Sequence, residues 1–360
     1  MRILLIAPLN PGPRSGSFFY GIQNYLANGF TRNGHLVLTL DERPHLKQAL
    51  GVRRIGQRLI HGRMLETVRE LHPDLICMHN SVLISAHTVE QVRQELPHCR
   101  VAAVWHDPLD ANRADRFGQL LDSADFGFAT TGGPLLARFA EKCPVAFIPN
   151  PIDVSVHNLT AYSTRDKTAD IFCTLRKCGK TDRFGLIDEL QRLKPNLSYA
   201  IYGRNKQNLI YGDAYYRVLD QAKVGLNINR YEGDLYASDR LAQYIGNGLL
   251  VASRRCSGYS QYFGDDEMIF FDGAPDLGEQ IERVVADDRR WRLMAERGRA
   301  KALFLMSETR VADFIVRMTI GLGPSKDWPF PNHIFLHPAR MAMARGPIGQ
   351  EEAHAASPKP

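Results

Sequence analysis

Residues 238–263 read SDRLAQYIGNGLLVASRRCSGYSQYF. Ser238 and Asp239 open an apolar-periodic helix that stops at Gly248, and a short apolar run, LLVAS, follows. A second glycine turn then leads into aromatics. A helix start carries unpaired N–H groups and a partial positive charge, so it can hold an anion. Ser238 is suited to the N-cap and Asp239 to the first turn. Arg240 is a candidate phosphate ligand. Gln243 follows Asp239 at i+4 on the same face. A helix followed at once by a short apolar run is the unit of a parallel sheet, and the chain on both sides repeats it.

Upstream, ADIFCTL (169–175), LSYAIYG (197–203) and VGLNIN (224–229) are strand candidates. LLVAS (249–253) and MIFF (268–271) continue the series. Helical patterns fall at about 181–193, 213–222, 238–247, 257–263 and 275–287. Before them, FIPNPIDVSVHN (147–158) is a loop rich in Pro, Asn and Asp. The first part alternates in the same way, with strands at 2–8, 35–40, 74–80, 100–107, 126–130 and 145–148. Such alternation predicts an α/β chain of two doubly wound parallel sheets in tandem. The expected domains are 1–150 and 151–320, with 321–360 an extension that docks in part and ends in disorder. Ligands of such sheets sit beyond the carboxyl ends of the strands, here in a cleft between the two domains.

Composition narrows the function classes. Of 360 residues, 44% are hydrophobic and 23% charged, ordinary for a globular protein. The net charge of +6 suits contact with phosphates or an anionic membrane surface. No nucleic-acid recognition motif occurs. The six cysteines form no CxxC pair and read as reduced thiols of a cytosolic protein. No apolar run approaches the ~20 residues that span a bilayer, so membrane contact would be peripheral.

Four further stretches carry chemistry. PGPRSGSFFYG follows the first strand. Its Ser15, Gly16 and Ser17 allow backbone to approach a phosphate or sugar, although GxGxxG is absent. WHDP (105–108) ends the fourth strand, where His106 can exchange a proton or bond a sugar hydroxyl; a strand-capping histidine is the alternative. CTLRKCGKTDR (173–183) carries Arg176, Lys177, Lys180 and Arg183, suited to a diphosphate or else a solvated basic loop. IYGR (201–204) places Gly203 and Arg204 at the same edge. Residues 43–69 carry Arg43, Lys47, Arg53, Arg54, Arg58 and Arg63, a solvated face or a site for anionic lipid or an acidic glycan.

The run from GLNINRYEGDLYASDRLAQYIGNG through DLGEQIERVVADDRRWRLMAERGRAKAL resembles the glycosyltransferase group 1 domain. The resemblance is to its CgeB-like, spore-protein-like branch, related to family 4 retaining glycosyltransferases of GT-B fold. IPNPID (148–153) resembles that group's IPNGVD-type linker. The resemblance implies a nucleotide-diphosphate-sugar as co-substrate, no other cofactor, and retention of anomeric configuration. By motif position it gives Arg176 and Lys180 to the diphosphate, with Arg183 as competitor. It places Gly203 near the nucleotide, Ser238, Asp239 and Arg240 at the phosphate-binding helix start, and His106 near the donor sugar. Many relatives carry two glutamates eight residues apart; here those places hold Leu235 and Gln243. Gln243 can still bond a ribose hydroxyl, without charge.

No DxD occurs, so no metal is expected. The expected activity is a cytoplasmic glycosyltransferase, peripheral at most to the inner face of a membrane. Its acceptor would be a glycan, a lipid-linked species or a protein. The alternatives are a non-catalytic nucleotide-sugar-binding or structural protein, and an epimerase on the same fold.

Overall fold

The computed structural model describes residues 1–9, 21–50, 52–176 and 183–336. The strands are β1 (Arg2–Ala7), β2 (Leu36–Asp41), β3 (Leu75–His79), β4 (Arg100–Trp105), β5 (Phe126–Ala129) and β6 (Val145–Phe147). After the linker come β7 (Ala169–Thr174), β8 (Tyr199–Tyr202), β9 (Ala222–Asn227), β10 (Leu250–Arg254), β11 (Ile269–Phe271) and β12 (Ile334–Phe335). They form two sheets. The first has the order β12-β6-β5-β4-β3-β1-β2 and the second β11-β10-β9-β7-β8. Every pairing is parallel except β12 on β6. Strands such as β1 and β3 are apolar and buried almost throughout because helices cover both faces. This is the two-domain α/β architecture of the GT-B fold.

One expectation needs correction. Residues 257–263 form no α-helix, only the short 3₁₀ turns Arg255–Ser257 and Tyr259–Gln261. Gly258 between them has φ +84° and ends the first turn. Residues 288–319 form two helices, Asp288–Met306 and Glu308–Thr319, the Ser307 side chain capping the second.

That last helix does not pack as the 151–320 boundary groups it. It lies along helix Ile22–Arg32 of the first domain, so closely that a Cβ on Gly29 would come 2.3 Å from the Glu308 carbonyl oxygen. Phe314 meets Phe128 of β5 edge-on and stacks on Trp328 at 3.6 Å. Phe330 packs on Phe147, and β12 extends the first sheet. The docked part of the extension therefore completes the N-terminal layer.

The two chain crossings between domains are tied together. Ile152 donates to the Met306 carbonyl at 2.7 Å, and Glu308 donates back to the Ile152 carbonyl at 3.0 Å. Beside them Arg32 pairs with Asp153 at 2.8 Å and Glu308 at 2.5 Å. Burial pushes the Asp153 carboxyl up, but hydrogen bonds from Ser155, Asn28 and Arg32 outweigh it and hold it below the usual range.

Candidate functional site

At the carboxyl edge of the second sheet lies a cleft of about 290 Å³. Its walls come from the ends of β7 (Thr174, Leu175, Arg176) and β8 (Tyr202, Gly203), and from the start of helix Asp239–Gly246. Leu209, Ile210, Tyr211 and Tyr215 form an apolar and aromatic side. Asp239, Arg240 and Gln243 form a polar one.

The helix start is built by the NIN run that precedes it. The Ser238 amide donates to Asn229 Oδ1 at 3.0 Å, and its hydroxyl donates to Asn227 Oδ1 at 2.9 Å. Ser238 thus holds the N-cap backbone position, but its side chain makes no capping bond. Its hydroxyl faces the sheet, and the first turn keeps its amide dipoles for the cleft. The Asp239 carboxylate is turned along the helix, accepting from Gln243 Nε2 at 3.2 Å. Gln243 Oε1 in turn accepts from the Tyr215 hydroxyl at 2.8 Å. One N–H and one lone pair of the Gln243 amide remain to meet a ligand.

Arg240 donates through Nη2 to the Ile228 carbonyl at 2.6 Å, while its Nε is buried with no partner. Among the described residues no carboxylate pairs with it at ion-pair distance. A guanidinium so placed is suited to a bidentate anion. Arg176 also lines the cleft and is exposed. Arg183 does not line it; its guanidinium donates to the Arg176 carbonyl. Arg204 is turned outward, paired with Asp188 and lying 4.8 Å from the Phe184 ring. The loop-borne candidates Gly16, Ser17 and Lys180 lie outside the described residues.

Gly203 is at φ +92°, where a Cβ would sit 1.6 Å from the Leu175 carbonyl oxygen. Only glycine lets the ends of β7 and β8 approach this closely. The aromatic lining was missed in the sequence, though the YGDAYY run (211–216) carries the signal: three tyrosines around a helix start.

His106 ends β4 but does not line the cleft. Its Nδ1 shares a 2.7 Å hydrogen bond with Nε2 of His79, and its Nε2 is buried without a partner. Its backbone is fixed by Asn80 Oδ1 at 2.9 Å and by the Thr130 hydroxyl at 3.1 Å. Burial lowers the His79 imidazole to about 3 and His106 well below its ordinary range, so both are neutral near pH 7. The next residue, Asp107, lies 3.9 Å from Arg113 of its own domain and feels charges of the second domain. Burial raises its carboxyl, with Arg113 and Arg230 acting against this and Asp110 and Asp239 adding to it. Arg230 and Asp239 of the second domain thus act on the carboxyl that follows β4.

The position of the first expected glutamate, Leu235, is buried at φ +59°, and Asp234 before it is at φ +49°. Asp234 accepts from the Tyr231 hydroxyl at 2.7 Å, and its carbonyl accepts from Gly132 of the first domain at 2.5 Å. Two consecutive non-glycine residues in the left-handed region mark a strained loop at the domain junction. Glu232 lies 3.8 Å from Arg254 and 3.5 Å from Asn229, and neither it nor Asp234 lines the cleft. Among the described residues no three His, Cys, Asp or Glu side chains group as metal ligands.

Residues 183–315 match the family model described as "Glycosyl transferase-like". No curated protein matches the chain by sequence. Among solved structures, Alr3699/HepE of Anabaena in complex with UDP-glucose superposes with TM-score 0.59 at 12% identity, covering 88% of this chain and 99% of that one. The same protein with UDP gives 0.56 at 12% identity, covering 88% and 98%. The N-terminal domain of Candida albicans trehalose-6-phosphate phosphatase gives 0.53 at 13% identity, covering 88% and 96%. These likenesses fix the fold.

Proposed function

We propose that this chain, glycosyl transferase-like in its second domain and GT-B in fold, transfers a sugar from a uridine diphosphate sugar to an acceptor at its first domain. The observation that carries the reading is Arg240: a guanidinium with a buried, unpartnered Nε and no carboxylate paired with it, beside a helix start without a side-chain cap. The diphosphate would lie there, and the base against Tyr202, Leu209, Ile210 and Tyr211. As the sugar bond breaks, charge grows on the leaving diphosphate. Arg240, Arg176 and the first-turn amides would stabilise it electrostatically, without metal. Retention of configuration and a cytoplasmic setting belong to the same proposal. UDP is preferred over GDP because Alr3699/HepE, which shares the fold, is solved with UDP-glucose.

His106 would orient the transferred sugar through its Nε2, which has no partner within the fold. The test is turnover of UDP-sugars with and without added acceptor, in wild type and His106→Ala. Release of UDP that falls in the variant while UDP still binds is expected. Turnover unchanged by the substitution would remove His106 from the mechanism. A second reading, nucleotide-sugar binding without catalysis, is favoured by the buried Leu235. Binding without release of UDP under any acceptor would establish it.

A further inference from the structure

Between Arg43 and Leu65 the sequence holds six Lys or Arg and no Asp or Glu. Outside that stretch the chain carries 39 basic and 39 acidic residues. The whole net charge of +6 thus resides in 23 consecutive residues. They form helix Arg43–Gln48 and the start of helix Arg53–Leu71, just beyond the carboxyl end of β2. That is the ligand edge of the first domain. The buried Glu42 fastens the segment there, accepting from the Ser81 hydroxyl at 2.8 Å and from the Val82 and Leu83 amides.

The same stretch displays apolar side chains to water. Leu50 is 92% exposed, Val52 49%, Ile55 48% and Leu59 41%. On helix Arg53–Leu71, Gly56, Ile60, Met64 and Val68 face inward. Ile55 and Leu59 share the outer face with Arg54 and Arg58, which are exposed as well. The acids of this helix come only later, where Glu66 meets Arg63. Large side chains left in water among unopposed cations are costly for a solvated helix face. They match an interface that is apolar below and anionic above.

We infer that residues 43–50 and 52–59 form a docking surface for an anionic lipid bilayer. Leu50, Val52, Ile55 and Leu59 enter the acyl boundary, and Lys47, Arg54 and Arg58 meet the headgroup phosphates. The first domain is then held with its ligand edge at the membrane plane. Charge complementarity together with the exposed apolar residues favours a bilayer over a soluble polyanion, which would leave the apolar residues in water. No helix among the described residues is long and apolar enough to cross a membrane, so this contact would be at the surface.

The test is co-sedimentation of the full chain with phosphatidylcholine vesicles, with and without phosphatidylglycerol. Wild type should sediment only with the anionic vesicles and be released by high salt. Arg54→Glu with Arg58→Glu should lower partition by about 30-fold or more. Ile55→Ser with Leu59→Ser should also lower it, while circular dichroism and melting stay as in wild type, since all four side chains are exposed. Absence of wild-type sedimentation would overturn the inference, as would equal binding to neutral vesicles. So would unchanged binding in the Ile55/Leu59 variant, with dextran sulfate competing as well as vesicles do; that result would identify a polyanion site.

Discussion

The Tyr215 hydroxyl donates to Gln243 Oε1 at 2.8 Å, so the one side chain that replaces an expected glutamate at the cleft is pinned from outside its own helix. With Asp239 on its other side, the amide works as both acceptor and donor, which a carboxylate could not do. Gln243→Ala should therefore cost about 1–3 kcal/mol by leaving the Tyr215 and Asp239 groups short of a partner. It should also weaken UDP binding. Tyr215→Phe should cost about 1 kcal/mol and weaken UDP binding less. Urea unfolding and UDP titration of both variants check the order. Equal UDP affinity in wild type and Gln243→Ala would show that the amide serves structure only.

Gly203 should tolerate no side chain. At φ +92°, the Leu175 carbonyl oxygen lies 1.6 Å from where a methyl group would sit, so Gly203→Ala must push β7 and β8 apart at the cleft. A loss of about 3 kcal/mol or more is expected, with loss of UDP binding. A melting curve close to wild type would contradict the geometry.

Stability should fall as pH drops below about 6.5. His79, lowered by burial to about 3, and His157, lowered by burial to about 4, are neutral in the fold but take up protons when the chain unfolds. His106 shifts the same way. The stabilisation of a group with lowered histidine pKa is present above the unfolded value and is lost as pH falls toward the folded one. Each such histidine contributes a slope of up to about 1.4 kcal/mol per pH unit in that window. Unfolding free energies measured from pH 7 downward should show it, and His79→Gln should flatten it. A pH-independent stability across that window would mean that the histidines are solvated.

Much of this was legible in the sequence, for local reasons. Buried parallel strands are short apolar runs, and the run before each helix places the ligand edge, so Gly203, Asp239, Arg240 and Gln243 could be read as neighbours. What escaped depends on distant partners. Arg204 sits one residue past Gly203, yet its pairing with Asp188 turns it away from the cleft. Ser238 has the right type for a cap, but Asn227 and Asn229 claim it. His106 is at the expected strand end, and its bond to His79 arises only when β3 and β4 lie side by side. Helix Glu308–Thr319 follows the second domain in sequence but covers the first, because its apolar face fits helix Ile22–Arg32.

The most direct test of the central claim is calorimetric titration of UDP, with GDP alongside, into wild type and Arg240→Met, in buffer containing a chelator. UDP should bind wild type without metal, and Arg240→Met, still folded, should bind it at least about tenfold more weakly, the loss of one charge-assisted contact. Equal affinity in the two proteins, or no binding of either nucleotide by folded wild type, would contradict it.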